Sequence, residues 1–466
     1  MLLNRKNSFF IPLYFTFSVS ILLIMLLISF YTETLSPLLE YVCTYLLATL
    51  IISIKQYGVF SIFNIFFITS FFFLYDCLFF TLIGTHNFLK QTFPTEFYIS
   101  KEVGRLFLIA IFLFVSFSYT GYSFFVSRGH RKHYFPQKNV NILFCGKILF
   151  FIFLIPSLIK IYIQIKYLQS AGYVAMFLGG LKEIEYPFFC TGALTFLTMG
   201  YCLILCSIPN KKQYLFYTVI FVIVYMLNAI KGQRGPSIAI FIISIFIYTK
   251  YYGVKISLKK ILILFGLILL MIISLEKIRD SYGSEKTNIK HIPIIQTISN
   301  VLYYQTTTRA VPLLVIQGNL PYHKYPFVFS PLLKRYYEYK YGDSYSRESA
   351  MHFNNISQVT MSSVSMNSHL KGLGYGGAIL AEAYDFFGLA GVILFALFLA
   401  KISCQIDSMS IRLNRYNLII MYFILVNFAT LARGRFFDFL AFDQEIFCTL
   451  ICLSIVQCGI KYLTKR

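Results

Sequence analysis

The sequence predicts an all-α polytopic membrane protein of about twelve transmembrane helices, with one large extracytoplasmic loop between helices 9 and 10. Three observations lead there. Of 466 residues, 58% are hydrophobic and only 13% charged, at a mean hydropathy of +0.69, whereas a soluble domain carries charge at about a quarter of its positions. The apolar residues gather in runs near the roughly twenty that a helix needs to cross hydrocarbon. Short basic clusters punctuate alternate connections between those runs, as the positive-inside bias requires.

Taken in order, the runs place spans at 9–30, 38–54, 59–83, 104–126, 141–163, 188–208, 213–230, 236–252, 259–275, 376–400, 416–431 and 436–460. The first follows Asn4-Arg5-Lys6, is too long for a removable signal peptide and lacks a small-residue cleavage site. Lys55, then Arg128, Arg131, Lys132 and Lys138, then Lys211 and Lys212, then Lys250, Lys255, Lys259 and Lys260, then Lys401, Arg412 and Arg415 mark one side, with Asp407 as its lone acid. With Arg5, Lys6, Lys461, Lys465 and Arg466 on that side too, both termini are expected in the cytoplasm. Connections on the other side mix signs: Glu33; Lys90, Glu96, Lys101 and Glu102; Lys182, Glu183 and Glu185. The chain so divides into an N-terminal bundle of about nine helices (1–275), the long loop (276–375) and about three C-terminal helices (376–466).

This distribution excludes other classes. A net charge of +22 would suit a nucleic-acid partner only if Lys and Arg gathered on folded basic faces, and here they sit between apolar runs. The ten cysteines fall almost entirely in or beside apolar runs, without CxxC or Cys/His spacing, so neither a disulfide framework nor a zinc site is expected. No carboxylate cluster points to another metal, and no cofactor is expected.

The loop has eleven basic and six acidic residues. Its stretch 294–317 mixes apolar residues with Tyr303, Tyr304 and Arg309, which predicts an amphipathic helix in the membrane interface, ended or kinked by Pro312. Lys334-Arg335-Tyr336-Tyr337-Glu338-Tyr339-Lys340-Tyr341 interleaves cations with aromatic rings. That composition suits stacking on sugars and equally a solvated helix with interfacial tyrosines.

Two arginine motifs stand against the charge bias. Lys231-Gly232-Gln233-Arg234-Gly235-Pro236 opens the eighth span from outside. Proline suits the first turn, free amides and the positive helix end point outward, and arginine forks onto phosphate oxygens, so this is a candidate anion cradle. The alternative is a tight turn with a snorkelling arginine. Arg433-Gly434-Arg435 repeats the arrangement where the last span is expected to start, with Asp438 as a partner for Arg435 and Asp443 and Glu445 further in. Gly372-x-Gly374-x-x-Gly377 matches a dinucleotide fingerprint in form, but no strand precedes it; it reads as a flexible lead into the tenth span. Glu382 and Asp385, on one helix face, are candidates for a general base or for holding sugar hydroxyls, or are acids paired with arginines of neighbouring helices. His369 is a further candidate base, exposed by its context. Asp76, mid-span, reads as the partner of a buried cation or as an ion site in a transporter.

The layout, the Gly232–Gly235 motif with Arg234, the stretch Ala381-Glu382-Ala383-Tyr384-Asp385-Phe386-Phe387-Gly388-Leu389-Ala390-Gly391 and the arginines before the last span together resemble the O-antigen polymerase (Wzy) family. The resemblance implies that the loop is periplasmic and that the protein sits in the bacterial inner membrane. It implies an enzyme that joins oligosaccharide repeat units carried on undecaprenyl pyrophosphate, with a possible chain-length regulator as partner. On that reading Arg234, Arg433, Arg435 and Lys231, with Arg279 and Arg309 from the loop, hold pyrophosphate, and Glu382, Asp385 or His369 takes the acceptor proton. A lipid-linked oligosaccharide flippase and an O-antigen ligase are the alternatives.

Overall fold

The computed structural model describes residues 7–92, 94–127, 138–172, 184–231, 234–254, 256, 266, 306–318, 320, 325–341, 347, 352, 355–371, 373–409, 414–437 and 444–464. The chain forms two compact units that interleave along the sequence. One comprises Met1–Arg131, Pro293–Ser408 and Leu431–Asp438, the other Lys132–Ile292, Met409–Thr430 and Phe439–Arg466.

The first unit begins with α1 (Asn7–Tyr31) and α2 (Ser36–Tyr57), the latter opened by Pro37, where a missing N–H costs nothing. Next, α3 (Ile62–Ser70) runs through a π-turn at Phe71–Tyr75 into α4 (Asp76–Leu82). A two-stranded hairpin, β1 (Lys90–Gln91) and β2 (Phe97–Tyr98), leads to α5 (Lys101–Ser127). The core is aromatic: Tyr45 lies 4.6 Å from Phe112 between ring centroids, and its hydroxyl accepts from Ser116 Oγ at 2.8 Å. Asp407, the lone acid on the basic side, has a local explanation. Its Oδ2 accepts the Ile62 N–H at 3.1 Å, at the start of α3, and the Tyr122 hydroxyl at 2.7 Å.

The loop contributes α10 (Ala310–Gln317), α11 (Ser330–Tyr341), α12 (Ile356–Val364) and α13 (Met366–Leu370). Here the expected interfacial helix is corrected. Thr306–Arg309 is a 3-10 turn, and Ala310–Val315 are buried, packed against α5. Pro312 sits in the first turn of α10, whose N–H groups need no intrahelical acceptor, so it starts the helix; Gly318, at φ +76°, ends it. Residues 294–305 lie outside the described residues.

The last long helix of this unit, α14 (Ile379–Met409), is discontinuous where a smooth span was expected. Phe387 (φ −153°, ψ 38°) and Gly388 (φ 58°, ψ −139°) break it one turn after Glu382 and Asp385. Glycine is required there because an L side chain resists positive φ.

The second unit holds α6 (Val140–Ala171), α7 (Ala193–Cys206), α8 (Lys211–Ala229), α9 (Arg234–Tyr252), α15 (Arg415–Ala429) and α16 (Gln444–Thr464). Asparagine caps three of these after basic connections. Asn139, Asn210 and Asn414 each accept a first-turn N–H, and Gln213 completes a capping box with Asn210. Tyr201 stacks on Phe221 at 4.1 Å in the core, its hydroxyl paired with Thr218 Oγ1 at 2.9 Å.

Among the described residues, eight helices are long and apolar enough to cross a membrane, and α7, α15 and the stretch Glu445–Gly459 of α16 are shorter apolar helical segments. The expected ninth span, 259–275, lies outside the described residues except at Gly266.

Candidate active site

In the first unit the glycine-rich segment and the second arginine motif meet. Leu431–Arg433 forms a 3-10 turn. A Cβ on Gly377 would lie 2.7 Å from the Gly434 carbonyl oxygen and 2.8 Å from its carbonyl carbon, so the two backbones touch as only glycine permits. Gly376 lies against the Arg433 side chain, its N–H bonded to Ser357 Oγ at 2.9 Å, and Thr308 Oγ1 donates to the Tyr375 carbonyl at 3.2 Å. The segment read as a flexible lead is thus a packed wall. Close packing, on Ser357 Oγ for Gly374 and on the Gly434 carbonyl for Gly377, accounts for these two glycines.

Arg433 is half-buried, with its guanidinium carbon 5.9 Å from the centroid of the Phe73 ring in the π-turn. Arg435 is also half-buried. Glu382 is fully buried, and its Oε2 accepts the Phe436 N–H at 2.7 Å. The Phe436 ring packs 4.4 Å from Phe395 and 5.4 Å from Phe398, so one carboxylate and two rings of α14 hold the turn that carries both arginines. Arg433 and Arg435 were expected to open the last span; here Arg433 ends a 3-10 turn and Arg435 follows it outside any helix, while residues 438–443, between this turn and Gln444, lie outside the described residues. Capture of the 431–437 turn by α14 explains why these arginines belong to a loop. Asp438 and Asp443 lie outside the described residues. Glu445 does not: its Oε1 accepts from Thr195 Oγ1 at 2.9 Å.

Asp385 is half-buried, and its Oδ2 accepts the Phe327 N–H at 2.9 Å. His369 is corrected from exposed to fully buried, because α13, capped by Ser365, turns it inward. Arg309 is 1% exposed and donates from Nη2 to the Lys90 carbonyl at 3.2 Å, a bond that fastens the β-hairpin. Tyr375 beside it is buried, which raises its phenol above the ordinary range while the Arg309 charge opposes the rise. Asp76 is buried at the junction of π-turn and α4, and that π-turn packs against both Thr306–Arg309 and Leu431–Arg433. Arg279 lies outside the described residues.

The second unit carries the other motif. Lys231, 7% exposed, donates to Gln164 Oε1 at 3.1 Å, and Gln164 Nε2 donates to the Tyr186 hydroxyl at 3.0 Å. Lys160 Nζ stands 5.4 Å from the Tyr186 ring centroid. Burial pushes the Lys231 ammonium down to about 8, with Lys160 adding to the shift. Arg234 opens α9, and of it the structure describes the backbone.

Sequence reasoning missed Ser357, Thr308 and Tyr375, ordinary loop residues until the glycine segment is seen to rest on them. Lys160 and Gln164 were visible as polar residues one turn apart near the end of an apolar run. Among the described residues no group of three His, Cys, Asp or Glu gathers as a metal site. Chemically, the first unit offers a guanidinium-bearing turn of fixed shape beside a carboxylate, the equipment to bind phosphoryl oxygens and take up a proton.

The family model described as O-antigen polysaccharide polymerase Wzy matches residues 14–466. Comparison with curated proteins and with solved structures returns no match.

Proposed function

The chain belongs to the O-antigen polymerase Wzy family, and from that premise we propose that it joins undecaprenyl-pyrophosphate-linked repeat units at the periplasmic face of the inner membrane. Membership itself makes it a multi-pass membrane polymerase of O-antigen polysaccharide that works on lipid-linked oligosaccharide. The observation that carries the finer reading is the contact of the Gly376-Gly377 wall with the Arg433-Gly434 turn, fixed from below by Glu382.

In this reading a hydroxyl of the incoming lipid-linked unit attacks the anomeric carbon of the growing glycan. A carbon–oxygen bond forms to the acceptor as the bond from that carbon to the donor's pyrophosphate breaks. Arg433 and Arg435 neutralise the charge that gathers on the leaving undecaprenyl pyrophosphate. Asp385 takes the acceptor proton, because it alone of the three candidate bases is partly exposed. Glu382 and His369, both fully buried, position the site. Arg309 fixes the hairpin behind it. Both termini are cytoplasmic, and a chain-length regulator acts on the same face as the loop.

Purified protein in a bilayer, given lipid-linked repeat units, should build a ladder of longer glycans on the same lipid. Transfer to a different lipid acceptor, or movement across the bilayer without bond formation, would overturn the assignment.

A further inference from the structure

Lys231 presents an electrostatic problem that the mechanism above does not use. A buried ammonium costs several kcal/mol unless an opposite charge repays it. Lys231 is 7% exposed and makes its hydrogen bond to a neutral amide, Gln164 Oε1. The charge that acts on Lys231 is a second cation, Lys160. Gln164 cannot relieve it by turning its amide, because Nε2 is committed to the Tyr186 hydroxyl. Two ammonium groups, an amide and a phenol thus converge with positive charge in excess.

Such a constellation is stable when a multi-oxygen anion lies between the cations and accepts their remaining donors. Lysine's three donors allow it to keep Gln164 and still meet an anion. We propose that Lys231, Lys160, Gln164 and Tyr186 form a phosphoryl-anion site in the second unit, filled by the diphosphate head of a lipid-linked glycan. The inference rests on the polymerase reading for the lipid part of its ligand. The side assigned from the basic connections supports it, because the outer end of the fifth span and the residue after the seventh both face away from the cytoplasm.

The test uses the full chain in lipid nanodiscs, titrated calorimetrically at pH 7 with inorganic pyrophosphate and, separately, with a polyprenyl diphosphate that carries no sugar. Wild type should bind both probes. Lys231→Met and Lys160→Met should each weaken the lipid diphosphate about tenfold or more, the loss of one charge-assisted hydrogen bond, while Lys160→Arg keeps most of the affinity. Lys231→Met removes a buried charge and should unfold at a higher temperature than wild type, which separates lost binding from lost structure. Unchanged binding in both methionine variants, or no binding by wild type, overturns the site; binding of inorganic pyrophosphate alone overturns its assignment to a lipid head. A wild type that binds these probes through Lys160 and Lys231 yet builds no glycan ladder refutes the polymerase reading and leaves the site standing. A wild type that polymerises while the variants bind normally does the reverse.

Discussion

Replacing Glu382 by Gln and by Ala separates a positioning role from a proton-accepting one. The carboxylate is fully buried and accepts the Phe436 N–H at 2.7 Å. A hydrogen bond to a charged acceptor contributes about 1.5–3 kcal/mol and one to a neutral acceptor about 0.5–1.5 kcal/mol, so Glu382→Gln, which keeps an oxygen in place, should cost about 1–2 kcal/mol. Glu382→Ala removes the acceptor, leaves a buried N–H unpaired and opens a cavity, for a total of about 3–5 kcal/mol. The lost bond anchors the residue next to Arg435, and a displacement of about 1 Å at a reacting site costs roughly a hundredfold in rate. Thermal unfolding of purified protein and the glycan ladder made from lipid-linked units measure the two effects separately. The glutamine variant should polymerise within about tenfold of wild type, and the alanine variant should leave single units at temperatures where it is still folded. A stably folded glutamine variant slowed by about 10²–10⁴, the loss expected for a missing general base, would refute the positioning argument and make Glu382 the proton acceptor.

The contact between glycine wall and arginine turn predicts that Gly377→Ala must separate two backbones, since its Cβ would meet the Gly434 carbonyl at 2.7 Å. The cost should be about 1–3 kcal/mol, read as a lower unfolding temperature together with shortened glycan. Arg433→Lys keeps the charge but loses the planar fork, so polymerisation should fall about tenfold or more at constant thermal stability; a full-length ladder would remove Arg433 from pyrophosphate binding. For Lys231 the sign follows from its lowered value. Between about 8 and the ordinary 10.5 the unfolded chain holds a proton that the folded one has released, so its burial penalty is full below pH 8 and relieved as pH rises through that window. Unfolding temperature should gain from this group between pH 8 and 10, and Lys231→Met should flatten the profile. An identical slope in wild type and variant would contradict the buried-ammonium assignment.

What was legible in the sequence follows the physics that acts locally. Apolar runs such as Lys101–Ser127 and Val140–Ala171 announce themselves because hydrocarbon demands length and an internally bonded backbone. The odd arginines of both motifs were visible for the opposite reason, as charges at span ends where the expected topology calls for none. Partner choice was not visible. Whether Arg433 belongs to the next helix or to a turn depends on the Phe436 ring, which α14 captures through Phe395, Phe398 and Glu382, residues remote in sequence. His369 misled for a related reason, since a histidine amid polar loop residues reads as exposed until Ser365 starts a helix that faces it inward.

The break in α14 ties these strands together. An unbroken helix would satisfy its own carbonyls, and the Glu382–Asp385 turn would lie on a smooth cylinder. With Phe387 and Gly388 out of helical geometry, the first two turns of α14 become a separate short segment whose carboxylates bond to loop backbone on either side, Asp385 to Phe327 and Glu382 to Phe436. The loop contacts fall on the segment before the break, while the break itself lies open: Phe387 is 65% exposed and nothing stands within 4 Å of a Cβ built on Gly388. The stretch from Ala381 to Gly391 therefore serves as the hub of the first unit. Its acids organise loops that no apolar core could hold in register, and the glycine at its centre is what separates that hub from the spanning helix below it.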